Sequence, residues 1–289
     1  MPRFPALPTH PIILGALLIL LGEALLGMMG GIIKHLSADL STQQVVFFRN
    51  IAGLIMLVPI VIRTGFSGLK TQRFHWHLMR ALVGLSAMYC YFFVLARMPL
   101  AEAVLVKLTS PFFMPLIAYI WLKESVGANT RWAILIGFIG VAFILRPGSD
   151  SVSYFAIIGL MGAVLAALAK VTIRKMGNTE SSVAIVFYFG LISTIISAPP
   201  AFYAWQTVPD DAWSWILLMG AVATSGQLAL THAYRIAPTG KIGIYVYSSV
   251  IYGAVIGWMF WGEVPLWTTW LGSVFIIAAG LINIRKRKK

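Results

Sequence analysis

Acidic residues are scarce in this chain of 289, with nine Asp and Glu against 22 Lys and Arg and a formal charge of +13. Charge of either sign amounts to only 11% of positions, while 59% are hydrophobic and the mean hydropathy is +0.86. About a quarter of the residues in an ordinary soluble domain are charged, so the composition excludes one. Cysteine is almost missing, and the lone Cys90 rules out an internal disulfide. Long polar stretches are missing as well. Ten bilayer-spanning helices of ~20 residues would use roughly 200 positions, which leaves short connections and no room for an extramembrane domain.

Signatures of enzymatic chemistry are absent too. The only Gly-Lys pair, Gly240-Lys241, has Arg235 where a Walker A loop needs its first glycine. No H-E-x-x-H zinc motif occurs, and Asp39, Asp150, Asp210 and Asp211 all fall in loops, which excludes an intramembrane aspartate pair. No catalytic residue, metal site or cofactor is therefore expected, and the chain reads as not an enzyme. The first apolar run, Ile12 to Leu36, is too long for a signal-peptide core and is followed by no small-residue cleavage site, so it is expected to stay as a helix.

What is present is a series of continuous apolar runs. Hydropathy and turn signals place spans at Ile12–Leu36, Thr42–Ile62, Trp76–Leu95, Ala101–Leu122, Trp132–Leu145, Tyr154–Ile173, Ser182–Phe202, Trp213–Ala233, Ile242–Trp261 and Leu266–Ile284. Runs without strict alternation point to helices rather than a membrane barrel. The fifth run is short, but charge parity keeps it. With ten crossings, seventeen basic residues fall on one side, among them Arg63, Arg73, Arg80, Lys170 and the tail Arg285 to Lys289, and three (Lys34, Arg97, Arg146) on the other. The positive-inside rule then puts both termini in the cytoplasm. That placement accounts for the positive charge by orientation and argues for a lipid bilayer, not nucleic acid, as the macroscopic partner.

The chain also repeats itself. "ARMPLAEA" from Ala96 parallels "YRIAPTGK" from Tyr234, Glu124 parallels Glu263, and Trp132 parallels Trp270, at offsets of 138 or 139. The unit holds five helices, and an odd number forces the second copy to enter the membrane upside down relative to the first, as in many secondary carriers. The expected fold is an all-α integral membrane bundle of ten transmembrane helices, made of two inverted five-helix repeats over residues 1–148 and 149–289.

The segments "IIKHL", "VVFFRNIAGLIMLVP", "LKTQRFHWHLMRALVGL", "ARMPLAEAVLVKLTSPFFMPLIAYIWLKE" and "RWAILIGFIGVAFILRPG" occur in that order through the first five spans. Together they resemble the EamA branch of the drug/metabolite transporter superfamily. The resemblance implies a multi-pass carrier in a bacterial inner membrane, with a central cavity for a small-molecule substrate. S-adenosylmethionine uptake carriers and amino-acid or drug exporters both carry similar motifs, so the cargo stays open between a small polar or zwitterionic metabolite and a broader set of exported compounds; a lipid-flipping subunit is a further alternative. Members usually have a proline in the middle of the fourth and ninth spans. Pro111 fills the first place, whereas Val250 stands at the second, which leaves a kink there less assured.

Polar groups inside spans are costly and by default face a cavity. Glu23 is the only carboxylate placed deep in a span, and reads either as a charge partner of Arg49 or Lys107 or as a group that binds cargo or a coupling proton. Lys107, Ser110 and Gln227 are further candidates for substrate contact. In the ninth span Tyr245, Ser248 and Tyr252 share a helical face, and a tyrosine ring suits stacking on a planar or cationic ligand. Tyr89 and Tyr91 point to opposite sides of the third span, so one of them at most should line a cavity; Tyr89 is taken as the candidate. Arg49 and Pro111 belong to family-wide motifs and read as architecture, Arg49 as a charge pair. Lys34 and Lys170 lie near helix ends and read as structural, as do the pairs Gly27/Gly31 and Gly253/Gly257.

Overall fold

The computed structural model describes residues 11–122, 128–145, 154–176, 179–236 and 243–284. Helices run at α1 (Pro11–Leu36), α2 (Thr42–Thr64), α3 (Phe74–Leu95), α4 (Leu100–Lys107), α5 (Ser110–Leu122), α6 (Ala128–Leu145), α7 (Tyr154–Met176), α8 (Ser182–Tyr203), α9 (Ala212–Ile236), α10 (Ser248–Trp261) and α11 (Trp267–Ile284), with no strand among the described residues. Short 3-10 turns at Phe66–Leu69 and Gly243–Tyr247 precede α3 and α10. Among the described residues, six stretches are long and apolar enough to cross a membrane: Ile13–Leu36, Thr42–Arg63, Phe74–Leu95, Leu100–Trp121, Val183–Tyr203 and Ala212–Leu230. Shorter apolar helices occupy Arg131–Gly140, Ile157–Ile173 and Trp267–Ile282. Large apolar side chains on these helices point outward, Ile55, Leu82, Ile157 and Leu217 among them, as the hydrocarbon of a bilayer requires.

Several boundaries differ from the hydropathy reading, for physical reasons. α6 begins at Ala128, four residues before Trp132, and its 18 residues reach ~27 Å. Its first turn is polar, so hydropathy passes over it. The fourth span is broken at Leu108 and Thr109, between α4 and α5. Pro111 sits second in α5, where its missing N–H costs nothing, and it disfavours helix in the residue before it. Thr109 Oγ1 donates to the Val106 carbonyl (2.7 Å), helping to satisfy backbone that the break exposes. The later helix changes from 3-10 to α between Tyr247 and Ser248, 139 residues on, with Val250 in place of a proline. Ser249 Oγ makes the equivalent bond to Val246 (2.8 Å). Glu124, Arg3, Lys123, Arg146, Asp150, Lys241, Ile242, the basic tail and the boundary at 148/149 lie outside the described residues, as does the side chain of Arg235.

Two serines start corresponding helices. Ser41 caps α2 in a reciprocal capping box with Gln44, and Ser181 caps α8 through the Ala184 amide. Helix packing has the same internal correspondence. α1 packs on α9 as α3 packs on α7, and α2 meets α8, α6 meets α11 and α4 meets α10. Each pair maps onto itself or onto another pair when first-half elements are exchanged for second-half ones.

The α1–α9 contact brings backbone against backbone. A Cβ on Gly226 would lie 3.1 Å from the Gly22 carbonyl oxygen and 3.2 Å from Leu25 Cβ, while one on Gly22 would lie 3.1 Å from the Gly226 oxygen. Such approach is how helices gain packing energy where lipid supplies no hydrophobic drive. Gly226→Val should lower stability in detergent by about 1 to 3 kcal/mol, the usual cost of overpacking. Gly68→Ala, with nothing within 4 Å of the new Cβ, should leave the thermal unfolding curve unchanged.

Candidate functional site: a cationic cavity inside the bundle

A cavity of about 230 Å³ lies between α1, α2, α3, α4, α7, α8 and α9. Its chemistry comes from Arg49, Arg80, Lys107, Lys170 and Gln227, set among Tyr91, Phe189 and small residues of α7 such as Gly159 and Gly162. The small residues let α7 come close to α3, where a Cβ on Gly162 would lie 2.7 Å from Cys90 Cβ.

The polar groups fall into two clusters. In the first, the Arg80 guanidinium lies over the Phe189 ring, 3.6 Å from its centroid, and that of Arg49 approaches the same ring at 5.9 Å. Arg49 donates from Nη1 to Asn50 Oδ1 (3.2 Å) and from Nη2 to Gln227 Oε1 (3.3 Å). Arg49 Nε and Arg80 Nε and Nη1 are buried with no hydrogen-bond partner among the described residues. Gly84, one turn beyond Arg80, leaves the guanidinium its room, since a Cβ there would lie 2.5 Å from Nη1.

In the second cluster, Lys107 is the last residue of α4, where the negative end of the helix dipole suits a cation. Its ammonium lies 5.4 Å from the centroid of Tyr91. Lys170 Nζ donates to Ser110 Oγ (3.3 Å), the first residue of α5. Glu23, 5% exposed on α1, interacts electrostatically with both lysines. The break in the fourth span thus presents Lys107 and Ser110 together, each at a helix terminus.

Of the residues singled out from sequence, Lys107, Gln227 and Arg49 line this cavity, while Glu23 and Ser110 are absent from its lining and meet it only through the lysines. Pro111 stands beside it as the cause of the break. Tyr91, not Tyr89, lines the cavity; Tyr89 faces a separate cavity of about 690 Å³ bordered by Ser41, Arg97 and Gln206. The face formed by Tyr245, Ser248 and Tyr252 is absent from the lining. Tyr245 is exposed at 39%, Ser248 Oγ is buried with no hydrogen-bond partner among the described residues, and Tyr252 packs at the α1 interface, where a Cβ on Gly27 would lie 3.2 Å from it. Arg80 and Lys170, counted from sequence with the basic ends of spans, reach into the bundle instead. Both sit about two turns inside their helices, and the glycine after Arg80 was the local signal of that inward turn.

Two polar knots stand outside the cavity. Lys34, at the end of α1, forms an ion pair with Glu263 and donates to the Met98 carbonyl (3.0 Å). Glu263 in turn accepts from the Leu100 amide (2.7 Å). The resulting clasp joins three connections at one end of the bundle. Elsewhere, buried His77 of α3 meets Glu180 before α8 (3.1 Å), and Glu180 also accepts from Thr71 (3.0 Å).

A cavity of this kind inside an apolar helical bundle is a carrier's architecture, and sequence relationships agree. The EamA-like transporter family model matches residues 13–146 and again residues 154–285. The chain belongs to the EamA-like transporter family. It is a multi-pass membrane transporter, not an enzyme. It is 32% identical over 277 residues to the pseudopaline exporter of Pseudomonas aeruginosa strain UCBPP-PA14, covering 95% of this chain and 97% of that relative. The riboflavin transporter of Vibrio cholerae is 27% identical (93% and 91% covered), and the S-adenosylmethionine uptake transporter of Rickettsia bellii is 26% identical (89% and 88%). A protein crystal structure superposes with a TM-score of 0.67 over 94% of this chain and 96% of its own, at 15% identity, which speaks to the fold alone.

The clasp yields a prediction. Glu263→Gln strands the Lys34 ammonium in a partly buried place and should cost about 1.5 to 3 kcal/mol, the worth of a hydrogen bond to a charged group. Adding Lys34→Met should recover part of that loss in a double-mutant cycle on thermal unfolding.

Proposed function

We propose that this protein is a secondary carrier that moves a small zwitterionic metabolite across the bacterial inner membrane by alternating access. In this reading ten spans form two inverted five-helix units, 1–148 and 149–289, with both termini cytoplasmic. The broken α4/α5 pair counts as one span, as does α10 with the 3-10 turn before it. The observation that carries the reading is the cavity: Glu23 and four cations converge inside helices that present apolar side chains to lipid. Charges set inside the bundle have no structural economy, because each is costly away from water and the α1–α9 and α6–α11 seams close on glycines without them. A cargo with both an amine and a carboxylate answers both signs. The clasp at one end and the break in the fourth span supply, respectively, a contact to open and a hinge to open around. The names of the relatives span export and uptake, so direction rests on the gradient and not on the fold.

Two measurements test this. Single cysteines near Asp210, in a Cys90→Ser background, should react with impermeant reagent from the periplasm, while a reporter fused after Lys289 should report the cytoplasm; the same side for both would overturn ten crossings. Vesicles containing only this protein and loaded with an isotope-labelled metabolite extract should release a defined subset by mass spectrometry, unlike empty vesicles. Glu23→Gln should abolish that flux with its melting temperature within a few degrees of the parent. Retained flux with lost stability would make Glu23 a structural charge partner instead.

A further inference from the structure

The cavity holds more positive charge than a simple zwitterion can answer, and the excess is divided in space. The Arg49/Arg80 cluster has two guanidiniums and no carboxylate, and its other polar partners are the neutral oxygens of Gln227 and Asn50. The Lys107/Lys170 cluster brings two ammonium groups to the lining, and the carboxylate of Glu23, a buried neighbour of the lining, is electrostatically coupled to both. Arg49 and Arg80 are each 8% exposed and retain donors with no acceptor among the described residues. A guanidinium cannot shed its charge under ordinary conditions, and its fork of N–H groups matches a carboxylate in two parallel bonds. Two of them against one phenylalanine ring form a site suited to an anion. The ring supplies an attractive face to the cations but no acceptor.

Resting on the carrier reading, we propose that the cargo is an amino dicarboxylate: one carboxylate is held by Arg49 and Arg80 against Phe189, the second by Lys107 and Lys170 beside Ser110, and the amine by Glu23. Each charged group of the cargo then meets its opposite, and the mutual repulsion of the two buried guanidiniums and the two lysines beside them is relieved on binding. Gln227 positions the Arg49 fork through its Oε1. Tyr91, flanking Lys107, closes the apolar wall along the aliphatic part of the cargo. A monocarboxylate amino acid leaves one cationic cluster without an anion, and a diamine carboxylate places a third ammonium against it.

Three amino acids of matched chain length separate these cases: 2-aminoadipate, norleucine and lysine end in a carboxylate, a methyl and an ammonium group. A ligand that binds only the folded protein raises its melting temperature. With purified protein in lipid nanodiscs, 2-aminoadipate should stabilise at a concentration at least tenfold below that needed for norleucine, and lysine should be weakest. Arg80→Gln should reduce that preference by about tenfold to a hundredfold, the worth of a charge-assisted bond, whereas a scaffold role for Arg80 would weaken all ligands alike and leave the ratio unchanged. Arg80→Lys keeps a charge without the fork, and should restore part of the preference. Norleucine or lysine matching 2-aminoadipate, no stabilisation by any of the three, or an unchanged ratio in Arg80→Gln, overturns the dicarboxylate assignment. The carrier reading is judged separately by flux of the labelled extract, which requires no choice of cargo.

Discussion

A cation inside a bilayer needs a polar surface to face, and three of them, Arg49, Arg80 and Lys170, sit within helices whose other sides meet lipid, while Lys107 joins them from α4, no residue of which is exposed. The first three belong to α2, α3 and α7, so the cost of presenting any one of them to hydrocarbon fixes the rotation of three helices at once. Glu23 does the same for α1 and Gln227 for α9. The outward faces of α2, α3, α7 and α9 carry Ile55, Leu82, Ile157 and Leu217, all exposed. The cavity is therefore the polar remainder that the lipid-facing surface cannot hold, and function is concentrated where the solvent forbids charge elsewhere.

Holding such a cavity together falls to contacts that need no charge. Glycines bring α1 and α9 to backbone contact and α3 and α7 nearly so, and dispersion across those seams replaces the hydrophobic drive that lipid cancels. The breaks in the two corresponding helices are built by different means. Pro111 imposes the first, but the second, at Tyr247/Ser248, occurs with valine at the matching place. A hydroxyl bonding back to a carbonyl three residues earlier accompanies both, from Thr109 and from Ser249. The repeat thus preserves a backbone irregularity more faithfully than the residue that first suggests it.

The halves diverge in what they aim at the cavity. Counting from the caps Ser41 and Ser181, Arg49 corresponds to Phe189, the ring that both guanidiniums approach. At the offset that relates Glu124 to Glu263, Glu23 corresponds to Gly162 and Lys107 to Val246. One copy supplies most of the charge, and the other supplies the ring and the space. Relatives at 26 to 32% identity bear the names of chemically different cargoes.

The helical membrane class was legible in the sequence because hydropathy is a local property, and so was the repeat, because its markers Glu263 and Trp270 recur at offsets that differ by a single residue. Glu23, Lys107 and Gln227 stood out for the same reason: a polar residue in an apolar run is visible without knowing its neighbours. Arg80 and Lys170 did not stand out, because distance from a helix end along the chain cannot distinguish a side chain that reaches outward to the interface from one that turns in. Tyr91 and Tyr89 were equivalent on a helical wheel. The wheel fixes their opposition, but only the placing of α7 decides which side is the cavity, and the tyrosine face of the ninth span was likewise assigned a cavity that lies elsewhere. Local chemistry thus determined that charges are buried here, and tertiary packing decided which charges meet, since the rotation of each helix is set by the seams it makes with helices distant in the chain.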